Sequence, residues 1–396
     1  MNNTPKGSRK HIVIFGKTNS GKSSLINAIC GQDISLVSDN EGTTTDAVSK
    51  AMELIPVGPV VFVDTAGLCD NTELGELRTK KTYEYLKRAD IALYVRDALD
   101  LDDNNFIETV HNFKKYNIPY IDVINKIDKL SEKELENIKK NYTDSIFVSC
   151  NDKLSIGVLK EKIADIVKKD SEEISLLKDL LPYGSSVILV VPVDSEAPKG
   201  RLILPQVQCI RDCLDNGIKS YVVRDTELEQ ALKDLKKVDL VITDSQAFKK
   251  VNEIVPNDIM LTSFSMLFAR QKGDIEEFIR GVEAVRTLKE GDKVLFAESC
   301  THNVSHEDIA RVKIPTLLNN FVGGELDYDY KIGYDFAENV NEYKLIIHCG
   351  GCMINRKTII NRVRLCQKNN TPITNYGVIL SLLTNTLDRS KKIFGM

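Results

Sequence analysis

The sequence predicts an α/β protein built from three domains, each with its own predominantly parallel sheet. Its 396 residues exceed what one ordinary hydrophobic core accommodates, which favours two or three domains. Short β-branched runs alternate with amphipathic stretches along the chain, a pattern typical of parallel strands covered by helices. A glycine-rich loop follows the first strand. We predict domains at residues 1–172, 178–261 and 262–396.

Composition favours a globular protein of the cytoplasm. Hydrophobic residues make up 42% of the chain and charged residues 28%, which leaves no scope for wholesale disorder. The net charge of −4 counts against a constitutive RNA binder, which usually carries a basic surplus. No apolar run reaches the roughly 20 residues of a membrane span, and residues 1–10 lack a signal-peptide core. We therefore expect neither a membrane nor a nucleic acid as a partner.

The first domain is predicted as a parallel sheet with helices on its faces. The predicted strands are His11–Phe15, Val60–Val63, Ile91–Val95, Tyr120–Asn125 and Ser145–Val148. The predicted helices are Ser23–Ile29, Leu74–Lys87 and Asn104–Tyr116. Charged residues dominate 160–178, where a helix and a solvated linker are expected to end the domain.

The sequence GKTNSGKS at positions 16–23 is a phosphate-binding P-loop of the form G-x-x-x-x-G-K-S. Its glycines permit a tight turn whose backbone N–H groups face phosphate oxygens, and the following helix adds its positive end. Lys22 is expected to reach the β- and γ-phosphates, and the Ser23 hydroxyl to ligate Mg²⁺. The predicted nucleotide-binding positions of this loop are Gly16, Asn19, Ser20, Gly21, Lys22, Ser23 and Ser24.

Two further motifs, in the expected order and each after a predicted strand, indicate that the nucleotide is GTP. The sequence DTAG at 64–67 follows the second predicted strand, so that Asp64 holds Mg²⁺ through water and the Gly67 N–H senses the γ-phosphate. The sequence NKID at 125–128 places Asp128 to accept from N1–H and the amine of guanine, which adenine cannot offer. The loop SCN at 149–151 then supports the base. The other predicted base-side positions are Asn125, Lys126, Ser149 and Cys150.

The segment GTTTD at 42–46 lies in the expected switch region, with Thr44 as the Mg²⁺-sensing hydroxyl. With Asn19 in the P-loop and Leu68 after the DTAG motif, the domain resembles the TrmE–Era branch of GTPases. The resemblance implies a K⁺ ion, held partly by Asn19, that replaces an arginine finger. Leu68 stands where Ras-like enzymes have a water-orienting Gln, so slow, potassium-dependent hydrolysis is expected. Thr45 departs from the branch, where Arg is common. The predicted catalytic residues are Lys22, Ser23, Thr44, Asp64 and Gly67.

The middle segment is predicted as a small parallel α/β domain without nucleotide chemistry. Its predicted strands are Ser186–Val193, Ser220–Val223, Leu240–Thr243 and Ile259–Leu261, and its predicted helices include Pro205–Asn216 and Leu228–Leu235. It has no phosphate loop, which favours a structural role such as dimerisation. Cys209 and Cys213 lie one helical turn apart and are interpreted as core residues.

The third segment is predicted as another α/β domain. Two helices, Phe264–Arg270 and Ile275–Leu288, are expected before strand Val294–Ala297. A helical middle is expected before strand Lys344–His348 and helix Arg356–Lys368, and a short strand before helix Val378–Leu387.

Cysteine and histidine residues cluster after two of these strands. The sequence CTH at 300–302 follows one strand and HCGGC at 348–352 follows the other, with forty-five residues between His302 and His348. A shared sheet would bring the carboxyl ends of both strands to one crevice. Three cysteines and a histidine suit tetrahedral zinc, which spacing alone slightly favours, whereas three thiolates suit an iron–sulfur cluster.

Behind a TrmE–Era-like domain, C-x-H followed by H-C-x-x-C resembles the HydF family, the GTPases of FeFe-hydrogenase maturation, over the whole chain. The resemblance implies a 4Fe-4S cluster on Cys300, Cys349 and Cys352, and a cluster-binding third domain. It implies a scaffold or carrier for the di-iron precursor, with radical-SAM maturases and apo-FeFe-hydrogenase as partners and a homodimer or higher oligomer formed by the middle domain. The predicted candidates for the fourth iron ligand are His302, His348, His306 and Glu307.

Two other functions remain compatible with the residues. One is a ribosome- or tRNA-associated GTPase with a structural zinc domain, against which the acidic net charge counts. The other is a redox sensor in which the cluster controls GTP hydrolysis.

Overall fold

A computed structural model describes residues 7, 9–31, 48–65, 85–101, 103–170, 174–192, 202–299, 308–337 and 339–396. The chain divides into two compact units, residues 1–172 and 173–396. Among the described residues, no helix combines the length and the apolar character needed to cross a bilayer.

The first unit contains a six-stranded sheet in the order β2-β3-β1-β4-β5-β6. Its strands are β1 (Lys10–Phe15), β2 (Val48–Leu54), β3 (Gly58–Asp64), β4 (Ile91–Asp97), β5 (Tyr120–Asn125) and β6 (Ile146–Val148). Helices Lys22–Cys30, Asp103–Lys115, Glu132–Asn141 and Lys153–Asp170 accompany them. The strand core is apolar on both faces because each face packs against helices. The five predicted strands are confirmed, whereas the predicted helix Leu74–Lys87 lies mostly outside the described residues.

Strand β2 was not predicted from sequence. It pairs antiparallel with β3 at the edge of a sheet whose other strands are parallel. Its residues VSKAMEL are interrupted by Lys50 and Glu53, so they lack the continuous apolar run that marks the inner strands.

The second unit contains two four-stranded sheets, both fully parallel. The first has the order β10-β9-β7-β8 and the second β12-β11-β13-β14. The strands of the first are β7 (Ser186–Val190), β8 (Lys219–Val223), β9 (Leu240–Thr243) and β10 (Met260–Ser263). Those of the second are β11 (Lys293–Glu298), β12 (Asp327–Ile332), β13 (Leu345–His348) and β14 (Ile373–Asn375). The covering helices are Leu204–Asp215, Leu228–Asp234, Phe248–Ile254, Phe264–Lys272, Ile275–Val282, Ile314–Val322, Arg356–Lys368, Tyr376–Leu383 and Leu387–Lys391.

The two sheets of this unit share packing elements. Helix Phe264–Lys272 contributes side chains to the cores of both. The Arg389 guanidinium, near the end of the chain, donates to the carbonyls of Val255 and Pro256 at 2.8 and 2.7 Å. Cys209 and Cys213 are fully buried, which confirms their interpretation as core residues. The boundary predicted at 261/262 stays a prediction.

Three sequence predictions in the last segment were wrong in part. The expected helical middle contains helix Ile314–Val322 but also the edge strand β12. The helix expected at Ile275–Leu288 ends at Val282 and continues as a 3₁₀ segment, Glu283–Thr287. The last predicted helix starts earlier, at Tyr376, because the Asn375 side chain accepts from the N–H groups of Gly377 and Val378 and caps it.

Candidate functional site

The P-loop follows β1 and makes close backbone contacts that require its glycines. Gly16 and Gly21 have φ values of 141° and 91°. A Cβ atom on Gly16 would lie 2.1 Å from the Val95 carbonyl oxygen, and one on Gly21 would lie 2.3 Å from Nδ2 of Asn125. Both positions therefore exclude larger residues on grounds of contact as well as backbone conformation.

The side chains predicted to bind phosphate and Mg²⁺ converge at this loop. Lys22 is buried, and its ammonium group donates to the carbonyls of Gly16 and Lys17 at 2.7 and 2.6 Å. The Ser23 hydroxyl donates to the Asp64 carboxylate at 2.5 Å. The Ser20 hydroxyl is buried and has no hydrogen-bond partner among the described residues. Buried polar groups are normally paired, so this hydroxyl fits a site that binds a polar ligand.

The base-side motifs reach the same loop from β5 and β6. The Asn125 amide donates to the Ser20 carbonyl at 3.0 Å. The Lys126 ammonium donates to the Asn19 carbonyl and to the Asp97 carboxylate, both at 2.6 Å. These bonds connect the base-side loop rigidly to the P-loop. Asp97 was not predicted from sequence. Burial alone would raise the pKa of Asp97, but the hydrogen bonds from Lys126 and the Leu99 N–H together outweigh it, so the pKa lies below its usual range.

The Asp128 carboxylate is exposed and oriented by a single described side chain. The Ser149 hydroxyl donates to it at 2.7 Å. The neighbouring Cys150 thiol donates to Oδ1 of Asn125 at 3.5 Å, and burial raises the pKa of this thiol. The structure thus brings together the predicted residues of the P-loop, Asp64 and the two base-side loops. Thr44 and Gly67 lie outside the described residues.

The second group of predicted site residues lies at the carboxyl edge of the last sheet. Strands β11 and β13 are parallel neighbours, with Ala297 opposite His348. The Cys349 thiol accepts from the backbone N–H of Ser299 at 3.1 Å and contacts the Ser299 hydroxyl at 2.9 Å. Ser299 immediately precedes Cys300 in the chain. The carboxyl ends of the two strands therefore meet at Ser299 and Cys349, whereas the crevice predicted to include Cys300 and His302 stays a prediction because these residues lie outside the described ranges.

The loop after β13 is shaped by glycine and by a buried cation. Gly351 has a φ of 68°, and its N–H donates to the Cys349 thiol at 3.4 Å. The Lys272 ammonium is 7% exposed and donates to the Gly351 carbonyl at 3.0 Å. Burial lowers the pKa of Lys272 to about 8, while Cys352 and Cys349 act in the opposite direction. Burial raises the pKa of the Cys349 thiol, while the donors from Ser299 and Gly351 act against it. Hydrogen-bond donors of this kind favour ionised sulfur, the form that binds metal.

His348 occupies a different environment from the cysteines. It is fully buried, with Nδ1 2.7 Å from the Cys349 carbonyl oxygen and Nε2 2.9 Å from the Arg362 guanidinium. Because a guanidinium only donates, Nε2 accepts and Nδ1 carries the proton. Burial, followed by the charge of Arg362, lowers the pKa of His348 to about 3. Both ring nitrogens are thus engaged by the protein.

Among the described residues, no three His, Cys, Asp or Glu side chains gather as a metal-binding group. Cys300, His302, His306 and Glu307 lie outside the described ranges. The donor set that is described, two cysteines beside Ser299, Gly351 and Lys272, nevertheless fits an anionic metal–sulfur group. The sequence patterns did not indicate Ser299, Lys272 or Arg362, because none of them belongs to a cysteine motif.

Comparison with protein families covers all three segments. Residues 176–273 match the model described as "Hydrogen maturase F dimerization domain", and residues 276–393 match "Hydrogen maturase F tetramerization domain". Residues 11–126 match "50S ribosome-binding GTPase". The chain belongs to the HydF family. Its HydF-specific domains identify it with hydrogenase maturation, and its first unit is a P-loop GTPase domain.

Individual relatives of this HydF chain match its first domain. The tRNA modification GTPase MnmE of Thermotoga petrophila is 35% identical over 173 residues, which are 41% of this chain and 36% of the relative. MnmE of Cytophaga hutchinsonii is 29% identical over 160 residues, covering 40% of this chain and 34% of the relative. The matched segment thus spans about a third of these relatives, and agrees with a TrmE–Era-like domain. The solved structure of Aquifex aeolicus Era aligns at 21% identity with a TM-score of 0.32, covering 54% of this chain and 93% of Era.

Proposed function

We propose that this chain is a GTP-hydrolysing scaffold that binds a 4Fe-4S cluster and helps assemble and deliver the di-iron subcluster of FeFe-hydrogenase. The observation that supports it most is the contact between Ser299 and Cys349 in a chain with both HydF domains. Ser299 immediately precedes Cys300 in the chain, so this contact supports Cys300 as a third ligand. Cys300, Cys349 and Cys352 would hold the cluster.

A cluster held by three thiolates supplies one iron whose remaining coordination position can exchange. The chain's own groups prepare the site for it. Ser299 and Gly351 donate to Cys349, and Lys272 fixes the loop between the two cysteines through the Gly351 carbonyl. The fourth ligand would come from the segment with His302, His306 and Glu307, because both nitrogens of His348 already have protein partners.

Cluster assembly tests this proposal directly. Anaerobic reconstitution of the full chain with iron and sulfide should give about four irons per chain with a cluster spectrum. Cys300→Ser, Cys349→Ser and Cys352→Ser should each lose most of that signal. Cys366→Ala is the matched control, since Cys366 is buried in the core of the same sheet. Equal cluster content in all four variants would overturn the assignment.

In the first unit, Lys22 would bind the β- and γ-phosphates, and Ser23, Thr44 and Asp64 would hold Mg²⁺. The hydrogen bond between Ser23 and Asp64 supports this, because it places both oxygens beside the P-loop. Asn19 would contribute to a K⁺ site. Hydrolysis by the full chain in KCl is expected to exceed that in NaCl at equal ionic strength. Equal rates would remove the K⁺ assignment while leaving the GTPase intact.

We also propose that the chain works in the cytoplasm as a homodimer or higher oligomer that contacts apo-hydrogenase and the radical-SAM maturases. The middle sheet supports dimerisation because its edge strand β8 exposes Tyr221 and Val222, 39% and 46% accessible. Exposed apolar edge strands tend to pair with another chain. Light scattering of the purified chain should give at least twice the monomer mass, and a monomer at micromolar concentration would contradict this.

A second candidate function is a ribosome- or tRNA-associated GTPase with a structural zinc site. The match of residues 11–126 to a ribosome-binding GTPase model favours it for the first domain only. Metal analysis separates the two functions. One zinc per chain that survives dialysis, together with salt-sensitive RNA binding, would favour this second candidate.

A further inference from the structure

The phenolic hydroxyl of Tyr376 is buried near the carboxyl end of β13, where the cysteine loop begins, and has no hydrogen-bond partner in the described part of the chain. Burial of a hydroxyl without a hydrogen-bond partner costs free energy and is therefore uncommon. Such a hydroxyl suggests a bound group that would accept its hydrogen bond. Tyr376 belongs to none of the sequence motifs.

The sheet places Tyr376 at the same edge as the cysteines. Strand β14 is the parallel neighbour of β13, with Asn375 opposite His348. Tyr376 and Cys349 are thus the first residues beyond the carboxyl ends of adjacent strands. The Tyr376 ring packs edge-on against Phe296 of β11, with ring centroids 6.0 Å apart. Its backbone is fixed by the helix cap at Asn375.

The Tyr376 phenol is protonated at neutral pH, as tyrosine normally is, and can therefore donate. Burial raises the pKa of Tyr376, and the Cys349 thiol, Glu298 and Asp308 act in the same direction because each carries negative charge when ionised. A phenol donates its strongest hydrogen bonds to anionic acceptors such as a thiolate or a sulfide. Cys349 is the predicted metal ligand that directly follows β13, the strand next to β14.

We propose that Tyr376 is a positioning residue that donates a hydrogen bond to the sulfur of the cluster site, either the Cys349 thiolate or a cluster sulfide. This inference rests on the proposed cluster binding. It assigns to Tyr376 an influence on the reduction potential of the cluster. A hydrogen bond to sulfur stabilises the more negative, reduced cluster and so raises its reduction potential. Removal of the hydroxyl should lower that potential without removing a ligand.

The test uses the full chain, reconstituted with iron and sulfide. Tyr376→Phe should keep wild-type iron content, shift the cluster potential to more negative values, and lose one exchangeable-proton coupling in pulsed EPR between H₂O and D₂O. Tyr328→Phe is the matched control. Its ring also packs on Phe296, at 5.7 Å, but its hydroxyl donates to Asn319 at 2.7 Å. The control should leave both readouts unchanged.

The possible outcomes separate this inference from the proposed function. A wild-type chain that binds no cluster would overturn both. A cluster with equal potential and equal proton coupling in wild type and Tyr376→Phe would overturn the hydrogen bond alone. If Tyr376→Phe fails to fold, 3-fluorotyrosine at position 376 serves instead. Its more acidic hydroxyl should raise the potential, and an unchanged potential would overturn the inference.

Discussion

In the proposed nucleotide site, guanine would be recognised by one exposed carboxylate, Asp128, which accepts a hydrogen bond from the Ser149 hydroxyl. Asp128→Asn replaces an acceptor-only group with an amide, so the paired donors of guanine lose a partner. Hydrogen bonds to charged groups contribute about 1.5–3 kcal/mol, which predicts a roughly 10- to 100-fold weaker affinity for GTP. Competition binding of GTP against ATP measures the change. Asp165→Asn, at an exposed position on helix Lys153–Asp170, should behave as wild type. Retained preference for GTP in Asp128→Asn would contradict the assignment.

His348 looks like a ligand in the sequence, but its contacts indicate a structural role. Its two nitrogens hold the Cys349 carbonyl and Arg362, and Arg362 in turn donates to the Gly333 carbonyl at 2.8 Å. The imidazole therefore connects the cysteine loop to the chain after β12.

We predict that His348→Gln retains the reconstituted cluster and its EPR spectrum but lowers the stability of the second unit. The free energy of unfolding should fall by about 1–3 kcal/mol, because glutamine has no counterpart of the imidazole Nδ1–H and the Cys349 carbonyl loses this donor. Urea unfolding measures this loss. A nitrogen hyperfine coupling that is present in wild type and absent in His348→Gln would show instead that His348 binds iron.

Strands β4 and β5 are joined by more than their hydrogen-bond ladder. Arg96 on β4 and Asp122 on β5 are both buried and form a paired contact of 2.7 and 3.1 Å. Removal of one partner of a buried pair leaves an uncompensated charge, which typically costs about 3–5 kcal/mol. Asp122→Ala should therefore destabilise the first unit by that amount in urea unfolding. The exposed pair of Lys17 and Asp100 offers a control, since Asp100→Asn should cost no more than about 1 kcal/mol. Equal losses in both variants would refute this account.

The sequence was sufficient for elements whose local pattern is strong. Strands such as β1 and β13 are continuous apolar runs because both faces are covered. The edge strand β12, DYDYKI, has three exposed and three half-buried residues and no continuous apolar run, so it carried no such signal. The helix expected up to Leu288 ended early, and Gly281 within it lies against β14, where a Cβ would meet the Ile373 carbonyl oxygen at 1.9 Å. Gly281 and Ile373 are distant in the sequence, so the periodicity of the helical segment does not indicate this contact.

The candidate sites divide in the same way. The P-loop, Asp64 and the base-side motifs were predictable because each is a short contiguous pattern with a fixed chemical role. Lys272 and Tyr376 lie 77 and 27 positions away from Cys349 in the sequence. The packing of helix Phe264–Lys272 brings Lys272 to the Gly351 carbonyl, and the parallel register of β13 and β14 brings Tyr376 to the same edge of the sheet as Cys349. No fixed spacing in the sequence relates such supporting residues to the cysteines, so a motif search does not find them.

The two sites of the molecule are each built within one compact unit. All described contacts of the nucleotide site lie within residues 1–172, and those of the cysteine loop lie within residues 173–396. Each site therefore has its own positioning groups, which predicts that each can be removed without loss of the other.

We expect Lys22→Ala to abolish GTP hydrolysis while the reconstituted chain keeps wild-type iron content and cluster spectrum. Cys349→Ser should do the reverse, with loss of the cluster and GTP turnover within about twofold of wild type, a difference of roughly 0.4 kcal/mol in barrier height. Both are measured on the full chain, by phosphate release and by iron analysis with EPR. If either variant lost both GTP hydrolysis and the cluster while its cooperative unfolding stayed unchanged, the two sites would be energetically coupled. Regulation of the cluster by the nucleotide state would then have to act on the cluster's ligands and not only on surfaces that contact partner proteins.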